Sequence, residues 1–191
     1  MRLNIETRAQ HPEADSSWLE LMSFDATRLR YLEQLMTTYG FEAPIEAALA
    51  LTPQMSRVLQ LRPRARSGLI VQDLLALGLS PSRIARLPQC SRIVPFRDHV
   101  EALGWMYVLE RATLLHEAIR RHLQARLPSV HAWSYLSAYD GIASERWLEF
   151  GNILDCFAFE QLESIVSAAQ AAFDCQRDWF LACMDETARS A

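Results

Sequence analysis

Apolar residues recur at helical spacing along most of the chain, and this spacing predicts the secondary structure. In residues 28–39 one helical face carries the large apolar side chains Leu29, Leu32, Leu35, Met36 and Tyr39. Asp25 lies just before this stretch and is the expected N-cap. The period-two alternation typical of strands is weak. The pattern therefore predicts an all-α protein.

Proline and glycine set the expected helix ends in the first half of the chain. Pro44 is predicted to open a short helix over residues 45–50, because proline is tolerated in a first helical turn. A further helix is expected over residues 66–77, with Gly78 as its C-cap. Pro81 is expected to start a short helical segment over residues 82–87.

The second half is predicted to hold the longest helix, over residues 97–127, which stops at Pro128. A shorter aromatic stretch follows over residues 129–141, and two more helices are expected over residues 144–156 and 159–184. There is no low-complexity linker and no internal repeat. We therefore expect residues 1–191 to form a single helical-bundle domain with short connections.

Charge and composition narrow the classes of function. The chain has a formal net charge of -4, so no nucleic-acid-binding surface is expected. All 19 basic residues are arginine, which excludes Schiff-base chemistry on a lysine. The first ten residues are polar and charged, and no run of about 18 apolar residues occurs, so neither a signal peptide nor a membrane span is expected. These features predict a cytoplasmic protein.

Several segments resemble one family in the same order along the chain. Residues 107–110 read Tyr-Val-Leu-Glu and are followed by Thr113 and Leu114, as in the distal helix of bacterial heme oxygenases of the bacteriophytochrome-associated type. Thr7 precedes His11 by four residues, as a threonine precedes the proximal heme ligand in that family. Residues 66–74 are similar to its Arg-Ser-x-Leu-Leu-x-x-Asp-Leu element. The resemblance implies a heme-oxygenase-like helical bundle that cleaves heme to biliverdin with oxygen and electrons from a separate reductase.

The resemblance also implies roles for individual residues. His11 is the expected proximal ligand of the heme iron, since iron takes a neutral imidazole. Arg8 and Arg177 are candidates to bind the heme propionates as bidentate clamps. Ala112 and Thr113 lie on the distal side, and Ala112 stands where these relatives have a serine. Because proline disfavours helical geometry in the preceding residue, Pro12 predicts that a short helix ends at His11.

The distal helix departs from the family pattern at three positions. Arg111, Leu115 and His116 replace the glycines that let the helix backbone lie against heme. Arg111 is expected to pair with Glu110 or Asp140, or to close the cleft.

Two alternatives to the enzyme therefore stay open. In one, the side chains fill the pocket and the protein is non-catalytic, with a surface that binds another protein. In the other, His11 and His116 bind iron from opposite faces, which suits heme sensing or storage.

Overall fold

A computed structural model describes the backbone of residues 2–190 and the side chains of residues 2–157 and 160–185. It contains helices and turns, and no strand occurs in this part of the chain, which confirms the predicted all-α class. The helices in chain order are α1 Arg2–Glu6, α2 His11–Glu20, α3 Arg28–Leu51, α4 Met55–Val58, α5 Ser67–Ala76, α6 Pro81–Ile84, α7 His99–Ala112, α8 His116–Arg126 and α9 Ala143–Ser190. Short 3-10 helices cover Arg8–Gln10, Arg62–Arg64 and Thr113–Leu115.

The start of α3 differs from the expectation. Thr27, not Asp25, is the N-cap, since its hydroxyl accepts a hydrogen bond from the amide of Arg30. An N-cap side chain must lie within reach of the amides of the first turn, and Thr27 directly precedes that turn.

Pro44 lies inside α3 and does not begin a new helix. A proline at this position has no amide hydrogen for the carbonyl of Gly40. The amide of Cys90 supplies that hydrogen bond instead, at 2.8 Å. A contact from a distant loop therefore lets one helix run through the proline.

The cap residues of α5 and α6 agree better with the prediction from the sequence. Gly78 has φ +90°, and the Leu79 amide donates to the Leu74 carbonyl, which confirms the glycine C-cap. α6 begins at Pro81 and ends at Ile84, so it is shorter at its C-terminal end than predicted. The hydroxyl of Ser80 caps it by accepting from the amide of Arg83.

The helix predicted over residues 97–127 is interrupted at Thr113–Leu115 by a 3-10 turn. Asp98 caps α7 by accepting from the amides of Val100 and Glu101. α8 ends at Arg126, close to the expected stop at Pro128. Residues 129–141 form turns, so the aromatic stretch is not helical.

The two predicted C-terminal helices are present and meet at a kink, and together they are labelled α9. Its one non-helical residue within the described range is Gln161, with φ -132°. Within the described residues no helix has an apolar stretch long enough to cross a bilayer.

Two apolar clusters form the core, and α3 contributes to both. Tyr31 and Leu35 pack with α2, α5 and α8, whereas Phe41 and Ile45 pack with α7 and α9. Residues 102–110 of α7 are all buried. α7 lies very close to α9 at Gly104, where a Cβ atom would be 2.5 Å from the Cβ of Ala168. Because α7 lies at the centre of the bundle, its C-terminal end packs against α2.

Candidate functional site

His11 caps the C-terminal end of the 3-10 helix Arg8–Gln10, as the predicted helix end implies, and it is also the first residue of α2, which was not predicted. Its φ and ψ are -59° and -46°, and Pro12 occupies the first turn, where a missing amide hydrogen costs no helical bond. A 3-10 turn ends just before it and α1 lies further upstream. The imidazole is half-buried against α7 and α9.

A small polar cluster surrounds the imidazole of His11. Its Nε2 lies 3.0 Å from the Thr7 hydroxyl and 3.4 Å from the phenol of Tyr107. Thr7 also donates to the carbonyl of Leu3, which fixes its rotamer. The rings of Tyr107 and Phe173 face the imidazole, with centroid distances of 6.5 and 5.6 Å. The spacing of Thr7 and His11 thus produces a direct contact, with Nε2 turned towards these hydroxyl groups.

Burial lowers the pKa of His11 below its ordinary value, and the nearby positive charge of Arg111 lowers it further. The imidazole is therefore predominantly neutral at neutral pH. A neutral imidazole suits a hydrogen-bonded structural contact as well as a metal ligand.

Arg111 makes a bidentate ion pair with Asp15 across the space between α7 and α2. Its Nη1 and Nη2 atoms lie 2.7 and 2.6 Å from the two carboxylate oxygens. Both side chains are 14% exposed. Of the three outcomes expected for Arg111, the pairs with Glu110 and Asp140 do not form, and closing the cleft is what the geometry supports.

Very little space remains behind this ion pair. A cavity of about 10 Å³ lies between α2, the end of α7, the start of α8 and α9. The residues that line it are Ala14, Asp15, Trp18, Val108, Arg111, Ala112, Leu115, Ile119, Phe173 and Gln176. Pockets that hold organic ligands typically have about 300–1,000 Å³. This cleft is closed.

His116 lies in the core beneath α2. Its ring centroid is 4.6 Å from that of Tyr135 and 6.3 Å from that of Trp18. Both ring nitrogens are buried, and the backbone of Tyr135 lies beside the ring. Burial lowers the pKa of His116 to about 3, with a smaller contribution from the positive charge of Arg66.

The other distal residues are also engaged in packing. The hydroxyl of Thr113 is buried and donates to the carbonyl of Glu110 at 2.7 Å. Ala112 and Leu115 line the 10 Å³ cavity, and Leu115 packs against the apolar cluster of α2, α5 and α8. These side chains occupy the position expected for a ligand.

The two arginines proposed as propionate clamps do not point into a common pocket. Arg177 pairs with its neighbours Asp174 and Asp178 on α9. Arg8 is exposed, and within the described residues its side chain makes no ion pair. Neither residue lines the closed cleft.

The sequence reasoning missed a buried charged cluster on the other side of α7. Glu110 accepts hydrogen bonds from Arg64, Arg66 and Tyr139. Arg66 also lies 3.6 Å from Glu42, whose pKa is raised by burial and lowered again in part by Arg66. A glutamate inside the otherwise apolar stretch of residues 102–110 is the signal that points to such a cluster, because a buried charge needs partners.

The arrangement does not fit heme. The cleft that the resemblance assigns to it holds about 10 Å³, Nε2 of His11 faces hydroxyl groups, and His116 contacts different rings from His11. In the described part of the chain, no group of three or more His, Cys, Asp or Glu residues is placed to hold a metal ion.

Comparison of the chain with models of known protein families and with curated proteins found no match.

Proposed function

We propose that this chain is a non-catalytic helical-bundle protein whose heme cleft has become part of its core, and that it acts by binding another protein. The observation that carries the proposal is the closed cleft between α2 and α7. Two positions that replace glycine in the resembled family, Arg111 and Leu115, line its remaining 10 Å³. A third, His116, is buried behind it.

The energetics of the cleft support the same proposal. Glycine inside a helix costs about 1 kcal/mol relative to alanine. A protein that no longer accommodates heme gains stability when side chains replace such glycines and pack. The ring contacts between Trp18, His116 and Tyr135, and the ion pair between Arg111 and Asp15, are gains of this kind.

A protein partner is supported by the surface near the junction of α2 and α3. Four large apolar side chains are exposed there within eleven residues, namely Leu19, Met22, Phe24 and Leu29. Phe24 is 84% exposed. Several exposed large apolar side chains in one short segment support a surface that binds a protein.

A hemin titration tests the non-catalytic proposal. We expect no shifted Soret band when hemin is added to the wild-type chain, and no bilin spectrum when a reductant follows. A Soret band that is lost in His11→Ala, with conversion to a bilin, would contradict the proposal and support the heme-cleaving enzyme. A six-coordinate spectrum that is lost in His116→Ala would support the heme sensing or storage alternative.

A further inference from the structure

A second cavity lies on the opposite side of α7 from the closed cleft. It has a volume of about 310 Å³, which is within the range of ligand pockets. Its walls come from α3, the segment before α5, and α7, and include Glu46, Leu49, Leu61, Arg64, Met106 and Glu110. Ala50, Arg62 and Ala65 are exposed, so the cavity opens to solvent at this rim.

The cavity is apolar over most of its wall, and its polar groups are unevenly engaged. The carboxylate of Glu46 accepts hydrogen bonds from the amides of Arg66 and Ser67 and from the Ser67 hydroxyl. Glu110 accepts from two guanidinium groups and a phenol, as described above. Both carboxylates that line the cavity are therefore already paired.

Within the described residues, the polar groups of the cavity wall that lack a partner are hydrogen-bond donors of Arg62 and Arg64. The side chain of Arg64 is 1% exposed, its two terminal nitrogens bind Glu110 and Glu149, and its Nε has no partner within the described residues. A buried donor without a partner destabilises the folded state. Arg62, at the rim, makes no ion pair in the described part of the chain.

From these observations we propose that the cavity binds a small molecule with an apolar body and a carboxylate head. The body would pack against Leu49, Leu61 and Met106, and the carboxylate would accept from the guanidinium group of Arg62 and from the Nε of Arg64. Guanidinium groups bind carboxylates with well-matched geometry. A cationic head would lie against the guanidinium groups of Arg62 and Arg64, while Glu46 and Glu110 already accept hydrogen bonds from protein donors, and a neutral alcohol would leave the charge of Arg62 unpaired. The site is separate from the closed cleft, so the hemin result does not decide this proposal.

Three probes with the same ten-carbon chain separate the contributions of head and body. The full chain is titrated at pH 7 with decanoate, decan-1-ol and decylamine, each below its micelle-forming concentration, by calorimetry and thermal unfolding. We expect decanoate to bind most tightly and to raise the melting temperature. Equal binding of decanoate and decan-1-ol would overturn recognition by guanidinium, and no binding by any probe would overturn the proposal as a whole.

Variants at exposed positions locate the site without disturbing the core. Ala50→Phe fills the mouth of the cavity and should abolish decanoate binding, whereas Ala47→Phe, exposed on the same helix but outside the lining, should not. Arg62→Gln should weaken decanoate about fivefold and leave decan-1-ol unchanged, with Arg57→Gln as the matched control. Melting temperatures without ligand confirm that each variant folds. Unchanged decanoate binding in Ala50→Phe would place the ligand elsewhere and overturn the proposal.

Discussion

Arg111 and Asp15 form a bidentate ion pair that joins the C-terminal end of α7 to the middle of α2. Arg111 stands at one of three positions where the resembled family has glycine. The pair lies at the edge of a 10 Å³ cavity, so Arg111 both fills the space between the two helices and joins them.

The first prediction concerns the strength of this contact. Arg111→Ala and Asp15→Ala should each lower the free energy of unfolding by about 1–3 kcal/mol, because a charge-assisted bond in a mostly buried position is lost. A double-mutant cycle measured by urea denaturation should give a coupling energy of about 1–2 kcal/mol. The same cycle on Arg2 and Glu6, an exposed pair on α1, should give a coupling energy below about 0.5 kcal/mol. Equal coupling in the two pairs would refute the role of Arg111 as a bridge.

The second prediction concerns the close approach of α7 and α9. Gly104→Ala should destabilise the fold by about 1–3 kcal/mol, since its Cβ would lie 2.7 Å from the Ile165 carbonyl oxygen. Gly68→Ala is the matched control, because the Cβ added on α5 meets nothing within 4 Å. That change should stabilise the protein by about 0.5–1 kcal/mol through helix propensity. Thermal unfolding of both variants measures the contrast, and a neutral Gly104→Ala would show that the helices separate easily.

The third prediction is a pH dependence that originates at His116. Burial holds its folded pKa at about 3, whereas an unfolded histidine titrates near about 6.5. As the pH falls between these values, the unfolded chain takes up a proton that the folded chain does not. Stability should therefore fall by up to about 1.4 kcal/mol per pH unit over this window.

His116→Phe should remove this contribution and keep the ring contacts with Trp18 and Tyr135. Urea denaturation of the variant and the wild type from pH 7 to pH 4 isolates the effect, because all other titrating groups are common to both. Parallel pH profiles would contradict the assignment to His116.

The fourth prediction concerns the charged cluster behind α7. Glu110→Gln removes the carboxylate shared by Arg64 and Arg66, and leaves two buried guanidinium groups with too little negative charge. The free energy of unfolding should fall by about 3–5 kcal/mol. Glu117→Gln, which removes an exposed partner of Arg121, should change it by less than about 1 kcal/mol. Chemical denaturation compares the two, and a similar small effect in both would show that the cluster is not needed for stability.

Local signals in the sequence predicted much of the fold, and long-range contacts explain the rest. Gly78 ends α5 as expected because its own backbone conformation decides the cap. Pro44 does not begin a helix because the amide of Cys90, far along the chain, binds the carbonyl that the proline leaves free. The 3-10 turn at Thr113–Leu115 was not predicted, because no proline or glycine marks this position in the sequence.

In the candidate site too, contacts between residues close in sequence could be anticipated, whereas long-range contacts could not. The resemblance singled out Thr7 and His11, and their side chains are 3.0 Å apart. The partner of Arg111 was not predictable, since Asp15 is 96 residues away in the chain. The arginines of residues 62–66 gave no periodic signal, although the buried Glu110 that they bind stands out within an apolar helix.

The most direct test of the closed cleft is the Soret absorbance of the chain with hemin before and after glycines are restored. We expect no Soret shift in the wild type and a clear one in the triple variant Arg111→Gly, Leu115→Gly, His116→Gly, lost again when His11→Ala is added. A control with glycine at the exposed positions Glu117, Ala118 and Arg121 of α8 should match the wild type, and circular dichroism confirms folding. A Soret shift in the wild type equal to that of the triple variant would contradict the account, because the side chains at 111, 115 and 116 would then not close the cleft.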